Sequence, residues 1–117
     1  MQQNLAAPAP SDATLVNPDV KLDDKYRKQQ GWIFVSGTQA LARLPIQQRL
    51  RDAAEGKNTG GYISGYRGSP LGRYDMDLWQ AKDVLKEHNI VFQPGMNEDL
   101  AATAIWGSQH VGNCPGA

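Results

Sequence analysis

The chain has 117 residues, 40% of them hydrophobic, and its 12 basic and 12 acidic side chains give a formal net charge of zero. This length suits one small domain, and the neutral balance gives no electrostatic reason to expect nucleic acid or an anionic membrane as a partner. No apolar run approaches the roughly 20 residues of a membrane-spanning helix, and the N-terminus lacks the features of a secretory signal. A cytoplasmic location is therefore the default prediction.

The first segments along the chain are a leader and a strand. Residues 1–20 mix Ala, Pro, Ser, Asp and Asn without periodicity, which predicts a flexible leader before a domain that spans residues 21–117. The run Trp32–Val35 is apolar and rich in β-forming residues, so it predicts a buried strand. Thr38 is a possible cap for the helix that follows.

The next helical segment contains a proline. The pattern of Gln39–Leu44 is helical, and Pro45 either kinks this helix or stands in the first turn of a second one. Ile46 and Leu50 then share an apolar face, and Gly56 is a stop signal.

Two more strands are predicted, with a helix between them. Tyr62–Gly65 and Ile90–Phe92 are short and apolar. Asp75 or Asp77 is expected to cap the intervening amphipathic helix. The apolar face of that helix is predicted to consist of Leu78, either Ala81 or Val84, and Leu85.

The last helix begins after Asn97, which is a good cap, and is predicted to run toward Val111. Glu98 and Asp99 stand in its first turn, where acids complement the helix dipole. The alternation of strands and helices predicts an α/β fold with a partial doubly wound parallel sheet covered on both faces. Three strands make a poor finished sheet, so the sheet is expected to need neighbours.

Several chemically distinctive side chains have structural interpretations. The three tryptophans, Trp32, Trp79 and Trp106, fall on apolar faces, where core packing is expected. His88 is expected to be solvated, and His110 to lie on a helix surface or in a packing contact. The single cysteine, Cys114, can form neither an intrachain disulfide nor a CxxC site, so a structural or exposed thiol is expected.

A glycine-rich loop, Gly65–Gly72, follows the second predicted strand. Ligands of open α/β sheets bind at the carboxyl ends of the strands, where Arg67 could pair with a carboxylate or phosphate and Ser69 offers a hydroxyl. The loop matches neither GxGxxG nor GxxxxGK[ST]. A tight structural turn and a ligand loop therefore both stay open, as does a merely solvated Arg67.

Glu98 and Asp99 follow the third predicted strand at the same edge of the sheet. Their position in a helical first turn is explained by the helix dipole alone. A functional glutamate would instead face a ligand and be partly desolvated, so that its proton affinity is tuned. The pattern leaves Glu98 as a candidate catalytic residue, ahead of Asp99.

Three ordered segments resemble the amino-terminal region of bacterial indolepyruvate ferredoxin oxidoreductases. They are TQALxRLP at Thr38–Pro45, GYRGSPLG at Gly65–Gly72 and QPGMNEDLAATA at Gln93–Ala104, within a resemblance that runs from about Val20 to Ala117. These long fused-chain enzymes belong to the thiamine-pyrophosphate-dependent 2-oxoacid oxidoreductases. The family oxidatively decarboxylates an aryl-2-oxoacid to its acyl-CoA and passes electrons through iron–sulfur clusters to ferredoxin.

The resemblance implies that residues 21–117 begin the domain that receives the pyrimidine ring of the cofactor. Glu98 matches the glutamate that hydrogen-bonds a pyrimidine ring nitrogen and so activates the cofactor. Gly68, Ser69 and Pro70 match the loop that faces cofactor and substrate, with Arg67 a weaker substrate contact. The complete enzyme, expected to be a dimer, also uses magnesium and iron–sulfur clusters, and this chain has no GDG-type motif and no cluster cysteines for them.

The resemblance thus predicts the amino-terminal part of an oxidoreductase that is inactive alone. A second hypothesis is a small non-catalytic α/β module that binds a nucleotide or a partner through Gly65–Gly72. A third is that the isolated chain is barely folded, because a small sheet with uncovered edges is marginally stable.

Overall fold

The computed structural model describes residues 19–68 and 70–115, so most of the predicted leader, Ser69, Gly116 and Ala117 lie outside the described residues. Within these ranges the chain forms a mixed α/β fold with five α-helices and a two-stranded parallel sheet. The elements in chain order are α1 (Asp24–Arg27), α2 (Gly37–Ala54), β1 (Gly61–Gly65), α3 (Tyr74–Gln80), α4 (Lys82–Glu87), β2 (Ile90–Pro94) and α5 (Glu98–Ser108). A short 3-10 turn, Val111–Asn113, follows α5.

Helices pack against the two-stranded sheet. The register pairs Ile63 with Phe92, and since side chains alternate along a strand, these two residues and Ile90 share the face that packs on the core. The helix α5 packs over β1 on the opposite face, where a Cβ built on Gly95 would lie near both Ser64 and Ala101. The predicted mixed α/β fold with a parallel sheet is therefore confirmed, on two strands instead of three.

Apolar side chains from four helices, α1, α2, α3 and α4, and from the strand β2 pack together to form the core. Its buried members are Tyr26, Ala42, Ile46, Leu78, Ala81, Val84, Leu85 and Ile90. All the residues considered for the apolar face of the helix between the two strands are among them. This burial confirms the helical period in that stretch. The predicted helix is nevertheless interrupted at Ala81, so that α3 and α4 are separate helices.

The prediction of a strand at Trp32–Val35 is wrong. This segment forms no strand, and Trp32 and Phe34 are 87% and 95% exposed, while Ile33 and Val35 are half-buried. A strand needs a hydrogen-bonded neighbour, and no other strand lies beside these residues in the described part of the chain. The apolar composition is typical of a β-strand, but composition alone does not provide the neighbouring strand that the segment would need.

The helix α2 is continuous through Pro45, so the predicted start of a second helix there is wrong. Proline has no N–H, which leaves the carbonyl of Leu41, four residues earlier, without its helical partner. The Tyr74 hydroxyl lies 3.5 Å from that carbonyl oxygen. The cap is Ser36 instead of Thr38: its hydroxyl accepts the N–H of Gln39, and the Gln39 side chain accepts the N–H of Ser36.

The predicted helix ends and the predicted burial of the tryptophan side chains also need correction. Neither Asp75 nor Asp77 caps α3, because Arg73 holds the cap position and both acids lie in the first turn. The last helix ends at Ser108, before Val111. The tryptophans do not form the core: Trp32, Trp79 and Trp106 are all exposed. Their apolar surroundings in the sequence did not show whether anything covers them. No helix among the described residues is long and apolar enough to cross a membrane.

Candidate functional site at the carboxyl edge of the sheet

The two strands end side by side, and the loops that leave them stay in contact. The N–H of Gly95, just after β2, donates to the carbonyl oxygen of Gly65 at 2.7 Å. A Cβ on Gly95 would lie only 2.9 Å from the Cβ of Ala101, so the absence of a side chain at this position lets α5 dock closely. Asn97 then caps α5 by accepting the N–H of Leu100 at 2.9 Å, which confirms the predicted cap.

A hydrogen bond between Tyr66 and Glu98 joins the two loops. The Tyr66 hydroxyl donates to Oε1 of Glu98 at 2.6 Å. This bond, together with backbone hydrogen bonding at Glu98, lowers the pKa of the exposed Glu98 carboxyl below its usual value. The same bond is the main cause that raises the pKa of Tyr66. The Tyr66 hydroxyl thus orients the Glu98 carboxylate and favours its charged form, but the residue is solvent-exposed.

The position of Gly68 allows Tyr66 to take up this orientation. A Cβ at Gly68 would lie 2.5 Å from Cε2 of the Tyr66 ring and 3.2 Å from Cδ2. These separations are far below carbon–carbon contact distance, so any larger residue would displace the ring. Gly68 thus leaves space for the Tyr66 ring. The Tyr66 hydroxyl, just after β1, can then donate to Glu98, just after β2.

The remaining residues predicted in the loop occupy different positions. Arg67 is exposed, and its Nε donates to Oδ2 of Asp75 at 3.1 Å, in an ion pair that ties the loop to α3. Asp75 is the better buried partner, with 13% of its side chain exposed. Pro70 is exposed, and the prediction for Ser69 lies outside the described residues. Arg67 is therefore anchored at one nitrogen rather than freely solvated.

A small cleft lies beside the loop. Its volume is 40 Å³, and its walls include Tyr66, Tyr74 and Phe92. One water needs at least about 10–15 Å³ measured in this way, so the cleft has space for only a few waters. Among the described residues, the site is accordingly an open edge whose cleft is too small to enclose a cofactor.

The two histidines and the cysteine take no part in the contact between Tyr66 and Glu98. No group of three His, Cys, Asp or Glu side chains among the described residues could hold a metal ion. His88 is half-buried with Nδ1 2.8 Å from the Val84 carbonyl oxygen, so the prediction that it is solvated is wrong. His110 packs edge-on against Trp106, with ring centroids 4.3 Å apart, which confirms a packing contact. Cys114 is exposed, as predicted.

The structure also shows partners that sequence analysis missed. The segment Thr38–Pro45 packs against α3, where the Tyr74 hydroxyl approaches the Leu41 carbonyl oxygen. Thr38 donates to the buried carboxylate of Asp77 at 2.5 Å, and Arg43 donates to the carbonyl oxygens of Lys25 and Lys28. These contacts join α2 to α3 and to the end of α1. Tyr66 was also missed, and its presence within the glycine-rich loop was the only sequence signal for it.

Comparison with known proteins identifies no relative of this chain. No protein-family model matches it, and neither a curated protein nor a solved structure is significantly similar to it.

Proposed function

We propose that the chain is the amino-terminal part of a thiamine-pyrophosphate-dependent enzyme that oxidatively decarboxylates an aryl-2-oxoacid of the indolepyruvate type. In this proposal the acyl group passes to CoA and the electrons pass to ferredoxin. One observation carries the proposal: two of the three resembling segments, Gly65–Gly72 and Gln93–Ala104, meet at the carboxyl edge of the sheet, where Tyr66 donates to Glu98. Ligands of open α/β sheets bind at this edge.

Glu98 has the chemistry that a pyrimidine ring nitrogen requires. The carboxylate is ionised at neutral pH, as glutamate ordinarily is, and its Oε1 accepts from the Tyr66 hydroxyl. An ionised carboxylate offers further acceptor sites, so it can also accept a hydrogen from a protonated ring nitrogen. Thiamine pyrophosphate, when bound, supplies the electron sink for decarboxylation.

Arg67 is suited to hold a carboxylate near the same edge. Its Nε is engaged by Asp75, which fixes the direction of the guanidinium group. The terminal nitrogens have no ion-pair partner within the described residues, and a guanidinium binds a carboxylate with two parallel hydrogen bonds. The carboxylate of a 2-oxoacid fits this group. Gly68, Ser69 and Pro70 complete the proposed cofactor- and substrate-facing loop.

The proposal assigns only the pyrimidine end of the cofactor to this chain. The cleft of 40 Å³ and the exposed Glu98 leave most of a cofactor to be enclosed by other protein surfaces. The diphosphate with its magnesium ion and the iron–sulfur clusters are assigned to other parts of the complete enzyme, which we expect to be a dimer. The isolated chain is expected to be inactive.

The test is the Glu98→Gln variant of the complete enzyme. Glutamine keeps the size of the side chain but removes its charge, so hydrogen–deuterium exchange at the thiazolium carbon of the bound cofactor should slow by about 100-fold or more. The matched control is Asp99→Asn, which removes a charge from the same helical turn and should leave the rate unchanged. Exchange at the wild-type rate in Glu98→Gln would contradict the role proposed for Glu98.

Calorimetry distinguishes the proposal from a non-catalytic nucleotide-binding module. The 117-residue chain is titrated with thiamine pyrophosphate and magnesium and, separately, with ATP and magnesium. The proposal predicts no tight binding of ATP. Tight, saturable binding of ATP by the monomeric chain would show that the loop Gly65–Gly72 serves a different function.

A further inference from the structure

An open groove lies among residues 20–39. Its volume is 870 Å³, within the range of about 300–1,000 Å³ that is typical of ligand sites. Lys21, Lys25 and Lys28 line it from the stretch around α1, and Trp32 and Phe34 line it from the segment that follows. The groove therefore combines positive charge with aromatic surface, and it shares no lining residue with the carboxyl-edge site.

The lysines of the groove are available to a partner. Within the described residues, none of the three forms an ion pair. Lys25 lies 5.5 Å from the centroid of the Tyr26 ring, which contributes no charge. One acid, Asp24, also lines the groove, and its carboxylate accepts the backbone N–H of Lys21 at 3.1 Å. The lining thus carries an excess of positive charge that an anionic ligand would complement.

The backbone of Trp32–Val35 is also available. Among the described residues, these four form no backbone hydrogen bond, although unpaired backbone groups normally find a partner in protein or water. Exposure alternates with a period of two: Trp32 and Phe34 are exposed, and Ile33 and Val35 are half-buried. This alternation of exposure is the pattern of an edge strand without a neighbour, and an unpaired edge is a template for addition of a strand from another chain.

We propose that this groove binds an extended acidic segment of a partner polypeptide. The segment adds as a strand beside Trp32–Val35, its apolar side chains cover Trp32 and Phe34, and its carboxylates pair with Lys21, Lys25 and Lys28. A strand is favoured over a small anion because the free backbone groups lie in the same groove as the charges. Main-chain hydrogen bonds then provide affinity, and the lysines select an acidic sequence.

The test uses the 117-residue chain and two labelled synthetic peptides, one of alternating Glu and Val and one of alternating Lys and Val. Fluorescence anisotropy should show binding of the acidic peptide that weakens by about tenfold or more from low to high salt, because the charges are screened. The basic peptide should not bind. Equal binding of both peptides, or no binding of the acidic one, would overturn the proposal.

Charge-reversal variants locate the site. Lys25→Glu combined with Lys28→Glu should weaken binding of the acidic peptide by about tenfold or more. The matched control, Lys82→Glu with Lys86→Glu, makes the same change in net charge on the exposed surface of α4 and should bind as the wild type does. Far-ultraviolet circular dichroism verifies that both variants fold. Equal loss of binding in the two variants would show that only the overall charge matters.

Hydrogen–deuterium exchange tests the added strand itself. Addition of the acidic peptide should slow exchange at the amides of Trp32–Val35. Binding without such protection would mean that the side chains alone hold the peptide, and protection of the same amides in the free chain, accompanied by dimers in sedimentation, would identify a second copy as the occupant. Binding to anionic phosphatidylserine vesicles but not to the peptide would identify a membrane surface. Each of these three results would overturn the proposal.

Discussion

Replacing Gly95 with alanine should separate α5 from the sheet or strain the contact between them. The added Cβ would lie 2.9 Å from the Cβ of Ala101 and 3.3 Å from Oγ of Ser64. Carbon atoms pack best at about 3.5–4.0 Å, so this methyl group is about 0.6–1.1 Å too close to Ala101. Both neighbours belong to regular elements, β1 and α5, and cannot move independently. Overpacking of this kind costs about 1–3 kcal/mol.

A second glycine is the matched control. Gly107 lies within α5, and a Cβ there would meet nothing within 4 Å. Alanine is favoured over glycine in a helix by roughly 0.5–1 kcal/mol, so Gly107→Ala should stabilise the chain or leave it unchanged. Urea unfolding followed by far-ultraviolet circular dichroism gives the free energy of unfolding of both variants. The two substitutions should therefore change stability in opposite directions.

A double-mutant cycle tests the steric explanation. Ala101→Gly removes the methyl group that the new Cβ would strike, although it costs about 1 kcal/mol in helix propensity by itself. Gly95→Ala should be nearly neutral in the Ala101→Gly background, which gives a coupling energy of the same size as the original cost. If Gly95→Ala costs as much in that background as in the wild type, or costs nothing in the wild type, the close approach of α5 is not what requires glycine.

Two further predictions concern the site and the core. Gly68→Ala should displace the Tyr66 ring and break its bond to Glu98, so the pKa of Glu98 should rise toward its usual value in a carbon-13 NMR titration; an unchanged pKa would contradict this. In the wild type, the stability due to this bond is present above the usual glutamate pKa and is lost as the pH falls through the lowered pKa. Ile46→Ala should cost about 2–5 kcal/mol in urea unfolding because Ile46 is fully buried, whereas Leu44→Ala, in the same helix at 64% exposure, should cost under about 0.5 kcal/mol. Equal losses would contradict the orientation of α2.

Features that depend on near neighbours in the sequence could be predicted. The helical period shared by Leu78 and Leu85, the β-forming composition of Tyr62–Gly65 and the Asn97 cap all depend on residues close together in the sequence. Other local signals were misleading: Thr38, Asp75 and Asp77 do not cap their helices, and no second helix starts at Pro45. The helix continues through it, with the Tyr74 hydroxyl 3.5 Å from the carbonyl that lost its helical partner.

The candidate site could be predicted only in outline. The carboxyl edge of the sheet follows from the order of strands and helices, and Glu98 and Arg67 were identified as candidates there. Their partners could not be identified, because Tyr66 lies 32 residues from Glu98 and Asp75 lies 8 residues from Arg67. The lowered pKa and the orientation of the Glu98 carboxyl depend on Tyr66, and the direction of the Arg67 guanidinium depends on Asp75.

The sequence by itself indicated most of the helical and β-like stretches and the apolar face that contains Leu78 and Leu85. Only the tertiary structure decided which of those surfaces are covered. Trp32–Val35 has the composition of a strand but no hydrogen-bonded neighbour in the described part of the chain, and Trp106 lies on an apolar helix with 67% of its surface exposed. The physical reason is that helix periodicity and caps arise from contacts along the chain, whereas strand pairing and burial require a second surface whose position the local sequence does not encode.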